Sequence, residues 1–162
     1  MARILLDNRD WDFGSNCWVC DPNNSKGLQV PFYLDEEARR VVAEFTPEVH
    51  HSGAPRFAHG GFSMALLDEG MAWAVIALAK QWGVTRRATS VFSRPVRLGE
   101  PHSLACWVEG GHASDLTVGG EIVDARGKVC VSVRAEFYVM TEEEAERALG
   151  VRSDAAKNYT RS

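Results

Sequence analysis

The longest apolar run in the chain lies between His59 and Trp82 and reads HGGFSMALLDEGMAWAVIALAKQW. Two glycines open it, and at about 3.6 residues per turn it predicts about six helical turns. Phe62, Met64, Leu66, Leu67, Met71, Trp73, Val75, Ile76 and Leu78 spread almost all the way round that helix. A helix with no polar face is normally buried on every side. Gly83 stands where a C-terminal cap is expected. Asp68 and Glu69 nevertheless fall in the middle of the run. A carboxylate in apolar surroundings must be paired, protonated or in use, so this is where chemistry is expected.

Around the helix the pattern changes to one of strands. Residues 28–34 and 39–45 predict two, with Pro31 marking the first as irregular or at an edge. Residues 46–58 form a loop broken by Pro47, Gly53 and Pro55. After the helix, residues 85–92, 102–109, 116–124 and 129–140 predict four strands. The last alternates over Val129, Val131, Val133, Ala135, Phe137 and Val139. Residues 124–128 (DARGK) are a hairpin turn, and Thr141 with Glu144 makes a capping box for a short helix to Leu149. Strands joined by short turns form an antiparallel sheet. Curled round one apolar helix, that sheet makes a single-core α+β domain. The expected organisation is an arm with a CxxC turn (1–27), the domain (28–149) and a polar tail (150–162).

The chain of 162 residues is long enough for one domain with a real core. Its net charge of -4 offers no electrostatic reason to expect nucleic acid or an anionic membrane as partner. The helix has the length of a membrane span, but Asp68, Glu69 and Lys80 argue against one. The first residues turn polar too soon for a secretory signal, so a cytoplasmic setting with reduced thiols is expected. Cys17 and Cys20 have the spacing of half a zinc site. A structural zinc takes four ligands and no second CxxC exists. His50 and His51 are candidates to complete a site, yet a packed, reduced loop without metal is the expectation.

Three segments carry a family likeness. His59-Gly60-Gly61, with Asp68 nine residues after the histidine, resembles the glycine turn and acid of the PaaI-like hotdog-fold acyl-CoA thioesterases. TRRATSVFSRPVRLG (85–99) resembles that family's third strand and its following turn. CWVCDPNNSKGL (17–28) resembles the opening of one bacterial branch. The resemblance implies a hotdog fold, a curved antiparallel sheet wrapped round the central helix. It implies a homodimer or homotetramer whose sites lie between subunits, and acyl-CoA as substrate with no cofactor and no metal.

Thioester hydrolysis needs an activated water or a nucleophile, and donors for the carbonyl oxygen as it gains charge. By resemblance Asp68 is the general base or nucleophile, and the Gly60 amide at the helix N-terminus is the oxyanion donor. His59 positions the thioester, and Thr85 orients the water or the carboxylate. Gly61, Glu69, Arg86, Arg87 and Arg94 are the expected substrate-binding residues, the arginines toward the phosphates of coenzyme A. Strand alternation places Arg86 and Arg87 on opposite faces. One position departs from the family: Gly53 stands where many relatives have asparagine or glutamine, and His50, His51 or Ser52 is left to take over. Two other functions compete, an acyl-thioester dehydratase centred on His59 and a non-catalytic acyl-CoA binding protein.

Overall fold

The computed structural model describes residues 3–7, 15–112 and 114–150. Of the arm, residues 1–2 and 8–14 lie outside these, as does the polar tail from residue 151 onward. In chain order the elements are β1 (Ile4–Leu6), β2 (Phe32–Asp35), β3 (Arg40–Phe45), a 3-10 turn (Val49–His51), β4 (Ser52–Ala54), β5 (Phe57–Ala58), α1 (Gly60–Ala79), β6 (Trp82–Phe92), β7 (His102–His112), β8 (Asp115–Asp124), β9 (Val129–Met140) and α2 (Glu142–Leu149). Seven strands form one antiparallel sheet in the order β1-β2-β3-β7-β8-β9-β6. The sheet wraps α1, and the α+β hotdog architecture expected from the sequence is the one observed.

α1 is long and apolar enough to cross a bilayer, yet most of it packs against the sheet. Leu66, Leu67, Met71 and Val75 are fully buried against Phe32, Val41, Leu104, Val118, Ile122 and Phe137. The helix comes close to the sheet at Gly70, where an added Cβ would stand 2.8 Å from Cys106 Sγ and 2.9 Å from Leu104 Cδ2. Burial is not complete all the way round. Gly61 and Asp68 are exposed and Met64, Ala65 and Ala72 are half-buried, which makes one open stripe at i, i+3 and i+4 spacing.

Several boundaries differ from expectation. α1 ends at Ala79, and Lys80 supplies the cap in the left-handed conformation (φ 58°). Gly83 instead belongs to β6, where an added Cβ would meet Tyr138 O at 3.1 Å and Val75 Cγ1 at 3.2 Å. Residues 28–30 are not strand. Leu28 and Val30 donate to Trp18 O (2.7 Å) and Val19 O (2.9 Å), so they brace the CxxC turn, and Gln29 sits at φ 53°. The alternation of β9 is interrupted where the β8 register shifts between Ile122 and Val123. Cys130 is the extra residue there, and its carbonyl accepts from Ser93 N (2.8 Å) and Arg94 N (3.0 Å).

Candidate active site

The chain enters α1 through His59, which is extended (φ -61°, ψ 139°) and caps the helix with its own ring. His59 Nδ1 accepts the Gly61 N–H at 2.9 Å. A ring nitrogen that accepts carries no proton, so the neutral ring bears its hydrogen on Nε2. The turn is held from behind: His59 N–H donates to His51 O at 2.8 Å, and the His51 ring stacks on Phe62 at 4.4 Å between centroids. Burial, with His50 alongside, keeps the His51 pKa below the ordinary histidine value. Gly53 is where it is because an added Cβ would stand 2.8 Å from His59 Cα. No side chain fits there without moving the turn, and the His51 carbonyl is what secures His59.

With the Gly61 amide engaged by His59, the Gly60 N–H is the one at this end with no acceptor among the described residues. It points from the positive end of the helix dipole. Gly60, Ser63, Phe92 and Arg94 line an open cleft of about 250 Å³. Arg94 is fixed there from β9, through its backbone bond to Cys130 O and an Nη1 bond to Val129 O at 2.8 Å.

The other two arginines are placed differently. Arg86 pairs with Asp115 at 2.5 Å, and Arg87 lies 4.0 Å from Glu136. The β6–β9 register shifts between Thr85 and Arg87, which makes Arg86 a bulge residue and removes the strict alternation expected of the pair. Both are exposed.

Asp68 lies two turns into α1 on the open stripe. Its expected burial is not observed in the protomer, because the sheet covers the opposite side of the helix. Asp68 Oδ1 accepts the Thr85 hydroxyl at 2.6 Å, a short bond from β6 that fixes the carboxylate's orientation. These two residues are the pair expected to act together. The turn and the acid are not together within one chain. Eight residues at about 1.5 Å each separate Gly60 from Asp68 by about 12 Å along the axis.

Glu69, round the helix from Asp68, is the more buried acid. It faces the CxxC turn, where one oxygen of Glu69 and the sulfurs of Cys17 and Cys20 lie within 4.8 Å of one another. Cys17 Sγ accepts the amides of Val19 and Cys20, each at 3.4 Å. The hydrogen bond from Cys20, helped by those amides, pulls Cys17 down to about 5, whereas Cys20 is pushed up by the same bond and by burial. Burial, then the Cys17 charge, raises Glu69 to about 7. No local pattern in the sequence joins Glu69 to the two cysteines.

Residues 56–131, which hold the glycine turn, α1 and β6 to β9 as far as Val131, match the model of the thioesterase superfamily. Among solved structures, a thioesterase superfamily protein is 30% identical and superposes with a TM-score of 0.68, over 72% of this chain and 57% of that one. The chain thus spans just over half the length of that relative. PaaI of E. coli, from a phenylacetic acid degradation operon, is 20% identical with a TM-score of 0.59, covering 63% of this chain and 73% of its own. A hypothetical thioesterase of Streptococcus pneumoniae with coenzyme A is 18% identical with a TM-score of 0.59, covering 62% and 81%. That Streptococcus protein also has structures with one aspartate or one threonine replaced by alanine. No curated protein matches the chain. The match over the glycine turn and central helix, carried on a hotdog sheet, makes the chain similar to the thioesterase superfamily over just under half of its length.

Proposed function

We propose that the protein hydrolyses an acyl- or aryl-CoA thioester at two equivalent sites between the protomers of a homodimer, which is free to pair into a homotetramer. Asp68 of one protomer acts as base or nucleophile, and the Gly60 N–H of the other receives the carbonyl oxygen. The observation that carries this is the split site. A donor sits about 3 Å from the oxyanion, and an attacking group about 3 to 3.5 Å from the carbonyl carbon. Donor and acid must therefore lie within about 8 Å of each other if Asp68 attacks directly, and within about 10 Å if it acts through a water, short of the separation along α1. Two chains with their open helix stripes facing would bring one chain's acid to the other's turn.

The edge of the sheet supports the same pairing. Among the described residues β6 has a neighbour on one side only, and Val84, Val91 and Phe92 on it are exposed. An unpaired edge with apolar side chains is a template for a second strand. Thr85 then orients Asp68, and His59 offers Nε2–H toward the thioester. Arg94, beside the Gly60 cleft, is the arginine placed to meet a phosphate of coenzyme A. Dehydration at His59 is disfavoured, since one ring nitrogen is already committed to the helix cap.

A thiol-release assay over short, medium, long and aryl acyl-CoAs tests the proposal. The parent is expected to turn over part of that panel. Asp68→Ala is expected to lose at least about a hundredfold in rate, as for a positioned base, while still binding acyl-CoA. Near-full turnover by that variant overturns the mechanism, and a parent inactive on the whole panel favours the non-catalytic binding protein.

A further inference from the structure

The geometry points to a divalent transition-metal site of zinc type formed by Cys17, Cys20 and Glu69, which clips the CxxC turn to the middle of α1. Sequence reasoning counted two thiol ligands and found no second CxxC. The fold supplies the third ligand from the helix. The three donor atoms lie within 4.8 Å of one another. Zinc–sulfur bonds of about 2.3 Å and zinc–oxygen bonds of about 2.0 to 2.2 Å place ligand atoms about 3.5 to 3.8 Å apart at tetrahedral angles. Small side-chain rotations close the difference.

The turn is built for a thiolate. Val19 and Cys20 both aim backbone N–H groups at Cys17 Sγ, which offsets negative charge on a metal-bound sulfur. The backbone behind it is fixed by the bonds from Leu28 to Trp18 O and from Val30 to Val19 O. At Gly27 an added Cβ would fall 2.5 Å from Trp18 O, so the loop closes tightly over the turn. On the helix side Glu69 is half-buried, and among the described residues its carboxylate has no ion pair with a lysine or arginine and is turned to the two thiols. A thiolate pair with one carboxylate suits a borderline-soft ion better than calcium or magnesium, which prefer oxygen alone. Three protein ligands leave a fourth position for water, and all three residues are partly accessible, so an ion has a way in.

Cobalt(II) is the probe. The full-length protein, reduced and freed of metal, is titrated with Co2+ and then with Zn2+ under anaerobic conditions. One equivalent of Co2+ is expected to saturate a thiolate-to-cobalt charge-transfer band together with the visible bands of a tetrahedral ion, and Zn2+ is expected to bleach both. The charge-transfer band is expected to vanish in Cys17→Ser and in Cys20→Ser, and to persist in the Cys106→Ser/Cys130→Ser double variant. Glu69→Gln, which keeps shape and fold, is expected to weaken Co2+ binding at least about tenfold. Circular dichroism checks that each variant is folded. Absence of the band at one equivalent overturns the site, as does a Glu69→Gln variant that binds Co2+ as tightly as the parent. A Cys17–Cys20 disulfide in freshly isolated protein, found by mass spectrometry after alkylation, overturns it in favour of thiol–disulfide chemistry.

Discussion

The oxyanion assignment at Gly60 can be tested without disturbing the fold, because of where Gly60 sits. It is the first helical residue after the His59 cap, and its N–H makes no bond within the helix. Proline is favoured at that position, since it lacks only an N–H the helix does not use. Proline also demands an extended residue before it, and His59 at φ -61°, ψ 139° already is one. A Cβ at Gly60 would rest 3.4 Å from Phe92 Cε1, the side of an exposed ring that can yield. Gly60→Pro therefore replaces the donor N–H by a ring carbon and keeps the helix. Replacing a freely rotating residue by proline at a compatible site is worth about 0.4 to 1 kcal/mol through the unfolded chain, so thermal stability is expected to hold or rise slightly. Loss of one oxyanion donor costs about 2.7 to 4 kcal/mol of barrier, a fall of roughly a hundredfold to a thousandfold in kcat. Gly60→Ala keeps the N–H and serves as the control, with expected activity within about tenfold of the parent. The two-chain site adds a second readout. Random mixing of Gly60→Pro with Asp68→Asn makes half the dimers hybrid, each with one intact site, and restores about one quarter of parental activity. A folded Gly60→Pro variant with undiminished turnover refutes the oxyanion role, and a mixture as inactive as its components refutes the shared site.

Thr85→Val removes the 2.6 Å bond to Asp68 in a nearly unchanged shape. A hydrogen bond to a charged group is worth about 1.5 to 3 kcal/mol, so kcat/KM is expected to fall roughly ten- to a hundredfold while Thr85→Ser retains most of it. Equal loss in both variants would assign the effect to packing. Gly70→Ala, normally favourable inside a helix by about 1 kcal/mol, is expected to destabilise by about 1 to 3 kcal/mol. Its Cβ would collide with Cys106 and Leu104, and a raised denaturation midpoint would contradict the close approach of α1 to β7. Asp124 Oδ1 accepts the Lys128 (2.8 Å) and Arg126 (2.9 Å) amides, and those bonds, Lys128's foremost, hold its pKa below the ordinary value. A depressed carboxylate contributes stability above its unfolded pKa and loses it as pH falls through the folded one. Asp124→Asn is thus expected to lower the thermal midpoint near neutral pH and to match the parent in strong acid. An equal deficit at both ends of the range would show that the charge is not involved.

How much of this was legible in the chain follows from the range of each signal. The all-round apolarity of residues 62–78 and the alternation of β9 are local patterns repeated many times, and both elements stand where those patterns put them. The sequence points to Gly83 as the end of α1 because a left-handed cap is usually glycine, whereas Lys80 takes that conformation and Gly83 is small for contact with Tyr138 and Val75. The bulges at Arg86 and Cys130 each add one residue to a strand, which a period of two cannot register, so the facing of the arginines was lost with them. Asp68 and Thr85 were paired by resemblance alone, since no periodicity joins a helix residue to a strand hydroxyl. The different burial of the two acids escapes the pattern for a related reason. Helical pattern says that a carboxylate at position 68 or 69 meets apolar surroundings, but only the sheet's position decides which of two neighbours about 100° apart faces it. The sheet took Glu69 in toward the cysteines and left Asp68 on the open stripe. The acid expected to bind substrate is the one half-buried beside two thiols, and the acid expected to do the chemistry in apolar surroundings is exposed in the protomer, where a second chain can reach it.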